Sequence, residues 1–319
     1  MARYGMTIPM TGIPLSEHRE WLREMVDLGY TDLWSSEAGG PDGFTPLAPA
    51  AAWAPEARLG IAIVPAFTRG PALLAMSVAA LAEAAPGRFV MGLGSSSNVI
   101  VERWNGIPFE KPYARVRDTV RFLRRALAGE KVDEDYETFS VKGFRLQMPP
   151  PTSPPPILVA ALRQGMLGLA GRVGDGAILN WLSAGDVETV APYVHAGGEG
   201  KELVARLFVC PTADRTLARS IARRAIAAYL TVPVYAAFHE WLGRGEALAG
   251  LWSSWKAGDR KAAVEAIPDE VVDSLVIHGS PEECRDHVAR YVEAGVDTPV
   301  LALLHADDLR EAVRSLAPR

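Results

Sequence analysis

Cysteine is nearly absent: 319 residues contain only Cys210 and Cys284. They lie far apart, in neither a Cys-x-x-Cys nor a Cys/His spacing, which excludes a disulfide scaffold and a sequence-encoded zinc site. The six histidines (His18, His195, His239, His278, His287 and His305) are scattered, and no metal is expected. His18 and His287 read as helix-surface residues. No apolar run approaches the ~18 residues of a membrane-spanning helix, so no membrane partner is expected. The opening stretch, Met1 to Pro9, has no signal-peptide apolar core, so a cytoplasmic protein is the expectation. Positive charge is also short, with 33 Lys and Arg against 38 Asp and Glu, which argues against a nucleic-acid partner. The densest basic stretch, Arg115, Arg117, Arg121, Arg124 and Arg125, falls on one amphipathic helix and reads as its solvated face. Neither a Gly-x-Ser-x-Gly elbow nor a P-loop occurs, which removes the common hydrolase and NTPase readings.

What is present is a folded-core composition, 49% hydrophobic and 22% charged, arranged as apolar strands alternating with amphipathic helices. Strands are expected at Tyr4–Ile8, Asp32–Ser35, Leu59–Val64, Phe89–Leu93, Ile157–Ala161, Gly176–Asn180, Leu203–Cys210 and Pro299–Leu304. Helices are expected at Ser16–Asp27, Pro71–Ala84, Tyr113–Leu127, Arg163–Val173 and Pro281–Glu293. Ser280 and Glu283 form a capping box for the last, and Gly295 closes it. Eight alternations in about 300 residues fit a TIM (β/α)8 barrel better than a doubly wound sheet. The whole chain, 1–319, reads as a single barrel domain with two excursions. Residues 130–156 hold an alternating Tyr136–Leu146 segment, read as a hairpin, and a stiff proline run. Residues 212–278 form a helical insertion between the seventh and eighth strands, over the barrel mouth, with Trp241, Trp252 and Trp255 as packing or lid residues.

In such a barrel the chemistry sits just after each strand's C-terminal end. Glu37 is the only acid placed immediately there, which makes it the leading general acid/base candidate. After the strand at Phe89, Gly92 and Gly94 remove side chains, and Ser95, Ser96, Ser97 and Asn98 add donors. Arg163-Gln-Gly-Met166 opens a helix and is a candidate phosphate site through its N-terminal N–H groups and Arg163. A mouth of glycines, hydroxyls, amides and aromatics suits a large planar cofactor that brings its own reactivity.

These residues resemble the luciferase-like (β/α)8 oxidoreductases, and within them the coenzyme F420-dependent branch related to methylene-tetrahydromethanopterin reductases. The carriers are Leu33-Trp-Ser-Ser-Glu37, Arg58-Leu-Gly-Ile-Ala-Ile-Val-Pro65, Thr68-Arg-Gly-Pro71, Ala85-Pro-Gly-Arg-Phe-Val-Met-Gly-Leu-Gly94, Val101-Glu-Arg-Trp-Asn-Gly-Ile-Pro-Phe109, Asp175-Gly-Ala-Ile-Leu-Asn-Trp181 and Gly279-Ser-Pro-Glu-Glu283. The resemblance implies a bulge, often with a non-prolyl cis peptide, at Ala62-Ile63, backing a deazaflavin ring. It implies Gly94, Ser95 and Ser96 at the ring's polar edge, and Arg163, Gly165, Met166, Asn180 and Trp181 around the phosphate. Where the sugar-phosphate dehydrogenases of the branch have an Asp-His pair and a Glu, this chain has Ser36-Glu37 and Ser97, so a His base for alcohol oxidation is missing. The implied protein is a homodimer that exchanges hydride between coenzyme F420 and a small-molecule substrate, with Glu37 or a Ser97/water relay handling the proton. The alternatives are an FMN-dependent monooxygenase on the same barrel and a non-catalytic flavin- or deazaflavin-binding protein.

Overall fold

The computed structural model describes residues 3–318. Twelve strands occur among them: β1 (Gly5–Thr7), β2 (Asp32–Ser35), β3 (Arg58–Ile61), β4 (Val64–Pro65), β5 (Phe89–Gly94), β6 (Val132–Asp135), β7 (Ser140–Phe144), β8 (Ile157–Ala160), β9 (Gly176–Asn180), β10 (Glu202–Cys210), β11 (Val276–His278) and β12 (Thr298–Leu303). Eight of them close a parallel ring in the order β1-β2-β3-β5-β8-β9-β10-β12, with β12 pairing back to β1. The expected (β/α)8 barrel is therefore observed. Around it run α1 (His18–Asp27), α2 (Leu47–Trp53), α3 (Pro71–Ala84), α4 (Pro112–Leu127), α5 (Gln164–Val173) and α6 (Val187–His195). Then come α7 (Arg215–Leu230), α8 (Pro233–Trp241), α9 (Gly245–Lys256), α10 (Arg260–Glu265), α11 (Asp269–Leu275), α12 (Pro281–Glu293) and α13 (Leu309–Ser315).

The two faces of each strand have different tasks. Leu203, Ala205, Leu207 and Val209 of β10 join the large core beneath the helices. Val204, one pleat over, meets Trp34, Val90, Leu158, Ile178 and Val300 inside the barrel. Gly60 supplies the space for Trp34, because a Cβ there would collide with the indole ring. Below this layer, Arg58 bridges Asp32 and Glu202 and donates to Thr298 at 3.1 Å, closing the N-terminal end of the barrel with polar side chains from four strands.

The insertion consists of α7 to α11 and β11, and it builds a second apolar core. Trp181, Phe208 and Ala302 of the barrel mouth join Ile226, Leu230 and Leu251 of the insertion there. Trp252 donates its Nε1 to the Leu230 carbonyl at 2.9 Å, and Trp255 lies under the Arg260 guanidinium, so both pack the insertion. Ser280 and Glu283 form the expected capping box on α12.

Several expectations are corrected. The third strand is not continuous from Leu59 to Val64 but breaks at Ile61 and resumes as β4. The hairpin is β6 and β7, so the Tyr136–Leu146 segment holds its turn and second strand only. The basic face of α4 is solvated as expected but ion-paired: Arg117, Arg121 and Arg125 pair with Glu130, Glu134 and Glu137 on or beside this hairpin, and only half-buried Arg115 departs from it, donating to the Ala66 and Thr138 carbonyls. His18 is buried, its Nε2 accepting from the Met10 N–H at 2.8 Å while Nδ1 faces the Pro14 carbonyl. His287 is half-buried, and burial pushes its imidazole down to about 4. The unforeseen α2 and α6 are short and carry prolines at Pro49 and Pro192, and β11 is three residues long. No described helix is long and apolar enough to cross a membrane.

Candidate active site at the strand C-termini

Between Ile61 and Val64 the chain bulges at Ala62-Ile63, whose peptide bond is cis, as is Ile8-Pro9. The bulge is held from β2: Ala62 N–H donates to the Ser35 carbonyl at 2.7 Å and Glu37 N–H to the Ile63 carbonyl at 3.3 Å. Both bulge side chains pack on the lumen cluster, as does Ala160. Gly94, at the end of β5, faces them; a Cβ there would come within 2.9 Å of the Ala160 Cβ and 3.0 Å of the Ile63 Cδ1. One wall of the mouth is thus apolar and closely packed.

Beyond Gly94 the chain passes through Ser95 to Asn98, all partly exposed, with Ser96 in the left-handed region at φ +63°. Ser97 follows at the start of a wide π-turn, where its Oγ accepts from the Ile100 N–H at 3.4 Å. Non-glycine residues hold this backbone conformation only where the surroundings enforce it, and such positions cluster at ligand clamps. Trp181, at φ +52°, is a second one at the same mouth.

Glu37 is firmly engaged. Arg69 donates to both its carboxylate oxygens at 2.6 Å, Thr68 donates to Oε1 at 3.3 Å, and the Gly43 N–H donates to Oε2 at 3.0 Å. The pair is largely buried, with side-chain exposures of 16% and 15%. Glu37 therefore pins the loop after β2 to the loop after β4, with the Thr68 hydroxyl beside its Oε1.

Arg163 precedes α5, and Gly165 in its first turn meets open space. Arg163, Gln164 and Gly165 are exposed and Met166 is half-buried, so the N–H groups of this turn are free to face an anion. The Trp181 side chain is 1% exposed, stacked on Phe208 at 4.1 Å and against Tyr229 at 5.0 Å. Its Nε1 is buried without a hydrogen-bond partner. The backbone at Trp181 is held by the insertion, where Arg244 bonds Asp186 at 2.8 Å and Ser183 at 3.1 Å, and by Tyr291, whose hydroxyl donates to the Leu182 carbonyl. His239 lies in the same contact region; burial, with Arg244 adding to it, pushes its imidazole down to about 4.

The opposite wall contains residues not singled out from the sequence. Alternation on β10 turns Val204, Arg206 and Phe208 to one face, and Val204 lines the lumen. Arg206 is paired across the sheet with Asn180. Its Nε is buried without a hydrogen-bond partner, as are Thr7 Oγ1, Trp34 Nε1 and Asn180 Oδ1. Asn180 Nδ2 donates to the Tyr235 hydroxyl at 3.1 Å, bringing α8 of the insertion over the mouth. Burial pushes that hydroxyl up to about 12, against the influence of Asn180 and nearby Arg206. The signal was available: Arg206 is the single charge inside the otherwise apolar run Leu203-Val-Ala-Arg-Leu-Phe-Val-Cys210.

The mouth therefore joins a closely packed apolar wall to unpartnered buried donors and acceptors, a lining that suits ligands with an apolar face and a polar edge. Among the described residues, no group of three or more His, Cys, Asp or Glu could hold a metal ion. A broad groove of about 950 Å3, lined by Arg3, His195, Lys201 and Asp297, lies at the other end of the barrel, away from the strand C-termini.

A family model described as luciferase-like monooxygenase matches residues 2–298. The chain belongs to the luciferase-like monooxygenase family. It is 27% identical to a Mycobacterium tuberculosis protein named as a coenzyme F420-dependent oxidoreductase, over 93% of this chain and 94% of that one. It is 28% identical to the 5,10-methylenetetrahydromethanopterin reductase of Archaeoglobus fulgidus, over 81% and 80%. The coenzyme F420-dependent tetrahydromethanopterin reductase of Methanopyrus kandleri has the same fold, with a TM-score of 0.79 at 17% identity, covering 99% of this chain and 97% of that one.

Proposed function

We propose that this luciferase-like protein is an F420-dependent oxidoreductase that moves a hydride between the cofactor and a small organic substrate inside the barrel mouth. The observation that carries the reading is the mouth itself, in which the apolar wall of Gly94 and the Ala62-Ile63 bulge, closely packed on Ala160, stands at the strand C-termini near unpartnered polar atoms. The full-length likeness to an F420-dependent relative supports it.

In this reading Ala62 and Ile63 form the floor against which the ring lies, and Gly94, Ser95 and Ser96 meet its polar edge. Arg163, with the N–H groups of Gly165 and Met166, holds the phosphate from α5, and Asn180 with the backbone of Trp181 closes that side. When bound, the deazaflavin supplies a two-electron hydride donor or acceptor at C5. The protein orients it, excludes water beneath the insertion and manages the proton. Ser97 offers its hydroxyl for that proton, and Glu37 acts through Thr68 or serves as the pin that keeps both mouth loops in register.

We also infer a homodimer formed through α3. Its outward face presents Leu73 and Met76, 53% and 45% exposed, on a helix whose other face is already in the core.

The test is turnover. Reduced F420 should be consumed with at least one member of a panel of enones, imines and ketones, without oxygen uptake. Oxygen-dependent turnover with reduced FMN and none with F420 would assign the protein to the monooxygenase reading. Tight binding of either cofactor without turnover on any substrate would favour the non-catalytic one.

A further inference from the structure

An unpaired arginine inside a barrel is costly, because a guanidinium removed from water needs a counter-charge or a full set of acceptors. Arg206 is partly exposed, but its Nε is buried without a hydrogen-bond partner, and its guanidinium lies over the face of Phe208, 5.2 Å away. The other inward charges, Arg58, Asp32 and Glu202, satisfy one another at the far end of the barrel.

The sheet register places this cation. Following the pairing once round the ring from Gly60 returns to Ala52, a stagger of eight residues over eight strands. Strands β3 and β10 are four places apart in this ring and therefore diametrically opposed. Half of the stagger brings Val204 level with Gly60, in agreement with the contacts of both to the Trp34 layer. Two residues further along each strand, Arg206 stands level with the Ala62-Ile63 bulge, on the opposite wall.

We propose that Arg206, with the Tyr235 hydroxyl, recognises a carboxylate on the substrate. The inference rests on the reading that a cofactor ring occupies the bulge side: its free face then looks across the lumen at Arg206, and a substrate fills the space between. Asn180 occupies the acceptor side of the Tyr235 oxygen, leaving the phenolic hydrogen free to donate. The Arg206 Nε–H supplies a second donor, and its charge selects an anion over a neutral carbonyl. Phe208 and Trp181, stacked above, give the rest of the substrate an apolar roof. The chemical class is a small monocarboxylate with an apolar body.

Calorimetric titration of acetate, crotonate and cinnamate, each against its matching alcohol, tests this on wild type, Arg206→Met, Arg206→Lys and Tyr235→Phe. The F420 affinity of each variant is measured separately by fluorescence. At least one carboxylate should saturate the wild type, weaken about tenfold or more in Arg206→Met and recover partly in Arg206→Lys. The alcohols should be indifferent to the substitution, and F420 binding should stay within about twofold. Saturation by none of the three acids, or equal losses for acid and alcohol, would overturn the proposal. So would a loss of F420 binding with unchanged carboxylate binding, which would assign Arg206 to the cofactor. Carboxylate selectivity in a protein that binds no F420 would uphold Arg206 as the anion reader and defeat the cofactor reading instead.

Discussion

Replacing Arg58 by Met should unpin the closed end of the barrel while leaving the mouth untouched. Arg58 reaches Asp32, Glu202 and Thr298, and its side chain is 11% exposed, with Asp32 at 0% and Glu202 at 19%. Methionine fills a similar volume, so the main loss is electrostatic: two buried carboxylates keep their desolvation cost and lose their common cation. Arg3, 3.4 Å from Asp32 and about half exposed, compensates little. Breaking such a buried network costs about 3–5 kcal/mol. With about 2.1 cal/mol/K of unfolding entropy per residue over the chain, the midpoint should fall by about 4–8 °C. Differential scanning calorimetry at neutral pH measures it. Adding Glu202→Gln should restore about 1–2 kcal/mol, because one orphaned charge disappears. The pH dependence supplies a further check. Burial works to raise the Glu202 carboxyl, but the bonds from Arg58 and Thr298 outweigh it and hold it below its ordinary value of 4.5. Its stabilising contribution is thus present above that value and lost as pH falls through the lowered one, and Arg58→Met should diminish this acid-side loss. A cost below about 1 kcal/mol, or a double variant weaker than the sum of the singles, would refute the reasoning.

Acidification should also destabilise the insertion, since the imidazole of buried His239 is pushed down to about 4 from an ordinary 6.5. Stability contributed by the neutral ring is complete above pH 6.5 and lost as pH falls toward 4, and His239→Phe should flatten the melting profile across that window. Gly94→Val should leave the circular dichroism spectrum intact but weaken F420 binding about tenfold or more, because the added side chain presses on Ile63 and Ala160. Arg69→Met, which leaves the largely buried Glu37 carboxylate unpaired, should cost about 3 kcal/mol, and Glu37→Gln and Arg69→Met should be non-additive in a double-mutant cycle. If Glu37 also transfers the proton, only Glu37→Gln should lower kcat by about a hundredfold.

Much of the barrel was legible because its strands are apolar on both faces, as in Phe89-Val-Met91, and are separated by helices with clear stripes such as Val116, Val120, Leu123 and Leu127. The capping box at Ser280 was legible for the same local reason. The bulge position came from the resemblance and not from periodicity, since Leu59 to Val64 reads as one unbroken strand. Short or proline-bearing elements escaped because α2 and β11 exist only through tertiary contacts. The loss of freedom of Glu37 was invisible because Arg69, its partner, is brought in from another loop. Arg206 was legible in principle: a lone charge in an apolar strand marks either an error of strand assignment or a polar task inside the barrel.

The central claim is that the mouth binds a deazaflavin. Parallel fluorescence titrations of wild type and Gly94→Val with F420 and FMN test it most directly. The account predicts saturable binding of F420 by the wild type at micromolar or tighter concentrations, much weaker FMN binding, and loss of the F420 signal in the variant. Preferential FMN binding, or F420 binding that Gly94→Val leaves unchanged, would contradict it.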